Sequence, residues 1–321
     1  MVMDTIPARR GQATPDEIKR YYFKNFAKLS KEQQVHFAWS LYSWNKDKSA
    51  YDKLLSLKPH LTGGGDFKSV LQRLEDESKS NTYGKGKMAG VHVKYFSRHP
   101  GLLAKTWQLL YTLRLQTIYG IDARSELLRF RSLETFRQTL TTLERDPEAI
   151  AMLSAAAINY IYLFHYLLLG STRAIDPYKL LNTCKPYYDT NDSMHIKIRS
   201  YLYTHLVIGE SLFFNRSIQR SKAEIYQIIM REAEDFLASY YFEHSLDNKY
   251  EFLACAHFVG NNPAILPVIM SEASNSFYGS RLYTFDKLNA NPNKHKPGIA
   301  AMAHSMIFYI VCHSRRSPKG P

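Results

Sequence analysis

Residues 149–172, AIAMLSAAAINYIYLFHYLLLGST, contain no Asp, Glu, Lys or Arg. A stretch of this length and composition belongs either inside a protein core or across a membrane. Asn159, His165 and three tyrosines make it less apolar than a lipid-facing helix, and the flanking Arg145 and Arg173 show no positive-inside bias. We therefore predict a buried central helix and no membrane span, with internal partners for Asn159 and His165 around an enclosed cavity.

Residues 192–214 predict the helix around which the chain is organised. At about 100° per residue, one face is mostly apolar with His205 at its middle, and the opposite face carries only uncharged residues. A helix without a strongly polar face packs on both sides. His205 is then either a core histidine or a group that contacts a ligand or carries a proton, with open space beside it at Gly209. Glu210 diverges from His205 by about 140° and is not its partner.

Helix starts and ends recur along the chain with the same chemistry. Caps followed by proline predict starts at Asp146-Pro147, Asp176-Pro177 and Asn262-Pro263. Glycines predict the ends, at Gly120, Gly170, Gly260 and Gly279. Single helices are expected over 122–144, 147–169 and 192–214, and nothing after residue 100 alternates like a strand.

These signals predict an all-α fold. Short connections favour an irregular array of antiparallel helix pairs, of the α-solenoid or α/α-toroid kind. We expect a basic helical N-terminal region with glycine-rich hinge loops in residues 1–98, and the main helical array in residues 99–321. The irregular intervals between helix starts argue against a consensus repeat.

The net charge of +13 is concentrated in the N-terminal half. Residues 1–145 contain 25 Lys and Arg against 14 Asp and Glu, whereas residues 146–321 contain 17 against 15. Such asymmetry indicates an acidic partner, such as nucleic acid, anionic lipid or an acidic protein, although excess charge also serves solubility alone. The three cysteines have no CxxC spacing, and the first residues of the sequence contain no apolar segment of the kind found in secretory signals. Both features suggest a cytoplasmic protein.

Seven cations are the candidates for binding nucleic acid. Four lie in a stretch expected to be flexible, interleaved with Tyr95 and Phe96 that could stack on bases: Lys85, Lys87, Lys94 and Arg98. Three recur at multiples of seven residues along one edge of the helix expected over 122–144 and its end: Arg124, Arg131 and Arg145. For the first four cations, the alternative is a solvated loop that its aromatic rings anchor to the core. For the three arginines, the alternative is pairing with acidic residues of their own helix.

The competing hypothesis is an enzyme with a site enclosed in the helical array. Its candidate catalytic residues are His205, Asp247, Glu251 and His257. Asp247 and Glu251 are four residues apart and could share a helix face, but Asn248 and Glu251 also have capping-box spacing, which explains Glu251 without chemistry. The enzyme hypothesis requires these side chains to converge at hydrogen-bond distances.

Several activities are excluded by their missing motifs. The chain has no HExxH, DDxxD, GxSxG or zinc-finger spacing, and Gly63–Gly65 lack the GK[ST] of a phosphate-binding loop. We expect no metal and no cofactor, and no motif identifies a family. The leading hypothesis is a cytosolic helical interaction protein whose basic N-terminal half binds an acidic partner.

Overall fold

The computed structural model describes residues 23–24, 26–29, 31–57, 66–80 and 87–272. All regular structure in these ranges is helical, without a β-strand, so the all-α prediction is confirmed for them. The α-helices are α1 (Lys31–Asn45), α2 (Lys48–Ser56), α3 (Phe67–Ser80), α4 (Lys87–Arg98), α5 (Leu102–Tyr119), α6 (Arg124–Phe130), α7 (Leu133–Glu144), α8 (Pro147–Leu153), α9 (Ala155–Leu163), α10 (Pro177–Cys184), α11 (Ser193–Glu210), α12 (Arg220–Ser239) and α13 (Leu246–Phe258). Helix α9 continues as a π-helical segment over Phe164–Leu168.

The predicted helix starts and ends are mostly present. Asp146, Asp176 and Asp192 each accept a hydrogen bond from a backbone N–H of the following turn, at 2.7–3.0 Å. Three of the glycines have left-handed φ angles of 66° to 82°: Gly120, Gly170 and Gly260. Pro263 precedes a helix that begins at residue 266, and Gly279 lies outside the described residues.

Two helices that were expected to be continuous are broken. Between α6 and α7, Arg131 is extended (φ −139°, ψ 136°), and the Ser132 side chain caps α7. Between α8 and α9, Ser154 has φ 34° and its hydroxyl donates to the Ile198 carbonyl of α11 at 3.0 Å. The two predictions of unbroken helices are therefore wrong, because a cap and a long-range contact interrupt them.

Most side chains of residues 149–172 are buried, as predicted. Within the described ranges, no single helix has both the length and the apolar character needed to cross a membrane. Pro147–Leu153 and Ala155–Leu168 pass that test only as a pair, and they are bent by 109° relative to each other.

Helix α11 lies at the centre, as predicted for residues 192–214, but it ends at Glu210 and does not continue to residue 214. It packs against α8, α9, α10, α12 and α13. On its other side α9 packs against α5, which in turn packs against α3. The order α3, α5, α9, α11, α13 therefore runs through the core, with α11 between two packed neighbours.

The pair α1 and α2 is joined to this core by tryptophans. Trp39 and Trp44 are almost fully buried, and the Trp39 indole N–H donates to the Thr117 hydroxyl of α5 at 3.3 Å. Their rings lie 5.1 Å from Phe213 and 4.9 Å from Phe214, respectively. One cluster of buried apolar residues runs from Phe26 to Ile269. The predicted domain boundary between residues 98 and 99 stays a prediction.

Candidate functional site

The central helix α11 carries polar side chains that contact several of its neighbours. Tyr203 donates to Glu232 of α12 at 2.6 Å, and the Ser200 hydroxyl lies 3.2 Å from a ring nitrogen of His244. Buried polar groups of this kind need specific partners, because an unpaired one in a core is costly. Helix α11 therefore places polar side chains, as well as apolar ones, at the centre of the molecule.

Six polar side chains, three of them from α11, come together between α9, α11 and α13. We call them the His205 cluster: Asn159, Tyr201, Thr204, His205, Asp247 and Glu251. His205 Nδ1 lies 2.9 Å from Asn159 Oδ1, and His205 Nε2 lies 3.8 Å from Glu251 Oε1. The Thr204 hydroxyl donates to the same Glu251 oxygen. The Tyr201 hydroxyl reaches Asp247 Oδ2 at 3.5 Å, the long limit of a hydrogen bond.

The contacts of His205 assign a role to each ring nitrogen. An amide oxygen only accepts hydrogen bonds, so with Asn159 oriented in this way Nδ1 carries a hydrogen. Nε2 is then the atom that gains or loses a proton, beside the Glu251 carboxylate. Nε2 and the Glu251 carboxylate are within ion-pair distance if the imidazole is charged, but their separation of 3.8 Å is too long for a hydrogen bond.

Both carboxylates of the cluster are buried, Asp247 at 5% and Glu251 at 2% exposure. Burial, followed by the charges of Asp247 and Glu251, holds the pKa of Tyr201 well above its ordinary value, so Tyr201 remains a hydrogen-bond donor. The interpretation of Glu251 as a capping residue is wrong. Ser245 is the cap of α13, since its hydroxyl accepts from the Asn248 N–H, and Glu251 lies inside the helix.

His257 lies apart from this cluster. It is exposed near the end of α13, and its ring lies 6.3 Å from that of Trp44. His165 is also outside the cluster, on the π-helical segment, where burial and then the charge of Lys222 lower its pKa. Of the four catalytic candidates, the structure brings together His205, Asp247 and Glu251.

A second buried polar group was not predicted; we call it the Glu210 cluster: Glu210, Thr172, Arg216, Lys222, Tyr226 and Tyr162. Glu210 is the last residue of α11 and is fully buried. Its Oε1 accepts from Thr172 at 2.8 Å and from Arg216 at 3.2 Å. Its Oε2 accepts from Tyr226 at 3.2 Å and lies 3.3 Å from the Lys222 amine. The sequence signal that could have revealed this cluster is Glu210 itself, a lone glutamate at the end of the otherwise uncharged second half of α11.

The chain leaves α11 through an unusual left-handed turn. Leu212, Phe213 and Phe214 have φ angles of 49°, 58° and 65°, a conformation that costs about 1–2 kcal/mol per residue. Packing offsets this cost, because Phe213 and Phe214 contact the two tryptophans of α1. The turn thus links the Glu210 cluster to the N-terminal helices.

From Lys87 to Arg98 the basic stretch forms helix α4, where a flexible loop was expected. Lys87 is the first residue of α4, and Lys85 lies outside the described residues. Arg98 forms ion pairs with Asp146 at 2.6 Å and Glu148 at 2.9 Å, and Lys94 lies 3.8 Å from Glu148. The acidic start of α8 therefore neutralises much of the charge of α4.

The three predicted arginines do not share one helix. Arg124 begins α6, Arg131 lies in the break, and Arg145 follows α7. Arg131 forms an ion pair with Glu75 of α3. Arg124 donates to the Leu168 carbonyl at 2.9 Å and has no ion pair with any residue that the structure describes, and Arg145 is exposed. The continuous arginine edge is therefore absent, because the break at Arg131 changes the helix direction.

Among the residues that the structure describes, no group of three or more His, Cys, Asp and Glu side chains could hold a metal ion. Comparison with known proteins adds no relative: no protein-family model, curated protein sequence or solved structure matches this chain.

Proposed function

We propose that this chain is a helical interaction protein whose basic N-terminal part binds an acidic partner, with nucleic acid as the first partner to test. The charge contrast between its two parts carries the proposal. Residues 1–145 contain 25 Lys and Arg against 14 Asp and Glu, whereas residues 146–321 contain 17 against 15. A contrast of this kind attracts polyanions to the basic part.

The ion pairs decide which cations matter most for this binding. Arg98, Arg131 and Lys94 each have a carboxylate partner, so a phosphate must compete with it. Within the described part of the chain, neither Arg124 nor Arg145 forms an ion pair, and both are exposed. We therefore assign the larger contribution to Arg124 and Arg145.

The proposal includes three expectations from the sequence. Binding depends on charge and not on base identity. The helices form an array of antiparallel pairs of the solenoid or toroid kind, which the short connections support. The protein is cytoplasmic, which the three widely spaced cysteines without a CxxC spacing support.

A gel-retardation assay at low salt tests the proposal. The wild-type protein should retard single- and double-stranded nucleic acid, and Arg124→Gln with Arg145→Gln should weaken binding equally for all sequences. The matched control is Arg173→Gln with Arg220→Gln, two exposed arginines outside the basic N-terminal part, which should bind like wild type. A labelled poly-glutamate chain tests the acidic-protein alternative. If neither polyanion binds, the charge serves solubility alone and the proposal is wrong.

The second candidate function is an enzyme with its site at the His205 cluster. The contacts of His205 with Asn159 and Glu251 favour it, because they place a titratable nitrogen beside a buried carboxylate. A small-molecule screen by thermal shift tests it, with His205→Gln as the site variant and His257→Gln as the control. Ligands whose effect disappears only in His205→Gln support this function, and a screen in which both variants respond like wild type contradicts it.

A further inference from the structure

A large apolar side chain projects into solvent between α12 and α13. Phe242 lies in the 3₁₀ turn Tyr241–Glu243 and is 79% exposed, the highest value among the exposed large apolar side chains of the described residues. Single exposed apolar residues are common and need no partner, but several of them on one surface mark a site of contact. The neighbours of Phe242 therefore decide whether it belongs to an interaction surface.

Phe242 is accompanied by an exposed apolar side of the helix over residues 266–272. Val268 of this helix is 54% exposed and lies one turn before Glu272. The Tyr241 hydroxyl donates to Glu272 Oε2 at 2.5 Å, and the Tyr241 ring lies 5.5 Å from that of Phe242. Phe242 and Val268 are therefore each within one residue or one helical turn of the same contact. We call the exposed apolar residues of this region the Phe242 surface: Phe242, Pro267 and Val268.

Buried contacts hold Tyr241 in place beside this surface. Lys249 is only 2% exposed, and its amine lies 3.7 Å from the centre of the Tyr241 ring and donates to Glu272 Oε2 at 2.7 Å. A cation–π contact and a charge-assisted hydrogen bond thus fix the residue next to Phe242. A side chain presented from a rigid base loses little conformational freedom on binding. This arrangement suits Phe242 as the anchor of an interface.

The segment that carries the Phe242 surface is acidic, although the whole chain is basic. Residues 223–272 contain 2 Lys and Arg against 8 Asp and Glu, a net charge of −6 within a chain of +13. Glu234 accepts from the Ile265 N–H at 3.1 Å, three residues before Val268, and the next residue, Asp235, is exposed. Neither carboxylate forms an ion pair with a described residue. The surroundings of the Phe242 surface therefore favour a cationic partner.

We propose that the Phe242 surface binds an amphipathic helix of a partner protein, with apolar side chains on one face and lysine or arginine beside them. Apolar side chains three and four residues apart on such a helix form a continuous stripe, against which Phe242 and Val268 pack. The cations of the partner face Glu234 and Asp235. Nucleic acid fits this surface poorly, because the acidic segment repels phosphates. The inference does not rest on the proposed function, which concerns the basic N-terminal part.

A labelled helical peptide of about 15 residues tests this proposal by fluorescence anisotropy with the full chain. Leucines in the peptide repeat at three- and four-residue spacing, and all its other residues are lysines. The control peptide has the same composition, but its leucines are scattered around the helix, so it has the charge without the apolar face. The wild type should bind the control peptide about tenfold or more weakly than the amphipathic one.

Variants of the protein test which residues carry the binding. Phe242→Ser should weaken binding of the amphipathic peptide by about tenfold or more, because the anchor is removed, and Val268→Ser should weaken it less. Glu234→Gln with Asp235→Asn should weaken binding and reduce its dependence on salt, since two charges that face the peptide are lost. Leu55→Ser is the matched control, a 42% exposed position on α2, and should bind like wild type.

Sedimentation velocity and thermal unfolding without peptide distinguish the remaining explanations. Wild type and Phe242→Ser should sediment alike and unfold at similar temperatures, because the side chain is mostly exposed. Wild-type dimers that Phe242→Ser converts to monomers would show that a second copy occupies the surface, and clear destabilisation would show that Phe242 supports the core. Either result overturns the proposal. It is also overturned if the amphipathic peptide does not bind better than the control peptide, or if Phe242→Ser binds it like wild type.

Discussion

At Gly209 the central helix approaches Tyr162 of α9 so closely that no larger residue fits. A Cβ at this position would lie 2.6 Å from Cγ of the Tyr162 ring. The ring cannot move easily, since it is fully buried and its hydroxyl lies 2.6 Å from that of Tyr226. The space that the sequence suggested beside His205 is therefore occupied by this ring.

Replacing Gly209 with alanine should destabilise the protein by about 1–3 kcal/mol, because the added methyl group overpacks the core. Gly90 is the matched control, as an exposed glycine within α4 that has nothing within 4 Å of its added Cβ. Gly90→Ala should stabilise by about 0.5–1 kcal/mol. Denaturant unfolding measures both changes, and equal stability of the two variants would contradict the packing described here.

Single residues also show what the sequence could reveal of the candidate site. His205 was identifiable because it is the one titratable group at the middle of an apolar helix face. Glu251 looked like a capping residue, and only the packing of α13 against α11 brings it to His205. Asn159 is 46 positions from its histidine partner. Spacing along one helix could not predict contacts between three helices.

For the helices, local sequence signals predict where a helix begins or ends better than they predict whether it continues without a break. The Asp caps and the left-handed glycines were readable because each acts within one turn of its own helix. The break at Ser154 could not be predicted in this way, because it is accompanied by a contact between Ser154 and Ile198 of α11, which is distant in the sequence. Residues 212–214 contain no glycine or asparagine, so nothing local indicated a left-handed turn.

The Glu210 cluster joins three elements: the segment after α9, the end of α11 and the start of α12. Glu210→Gln removes the only carboxylate that faces Arg216 and Lys222 in this cluster. Breaking a buried ion pair from one side costs about 3 kcal/mol. We expect a loss of this size in the free energy of unfolding, measured with denaturant.

Glu134→Gln is the control for this change. Glu134 forms an exposed pair with Arg137 at 3.3 Å within α7, and such pairs contribute less than about 1 kcal/mol. A loss at Glu210 no larger than the loss at Glu134 would show that the buried cluster does not stabilise the three elements.

For the whole molecule, the central question is what the basic part binds. Composition predicted the charge asymmetry, and the structure adds where individual charges are compensated. Arg98 forms an ion pair with Asp146, next to α8, and Arg131 forms one with Glu75 of α3. A count of charges alone could not reveal these pairs. The remaining positive charge is a property of the folded surface, and its effect on a partner depends on ionic strength.

The salt dependence of nucleic-acid affinity tests this account most directly. We predict that the logarithm of the binding constant falls linearly with the logarithm of salt concentration, with the same slope for two unrelated sequences. Arg124→Gln with Arg145→Gln should flatten that slope by about one to two units. Affinity that is insensitive to salt, or strong preference for one of the two sequences, would contradict binding through charge.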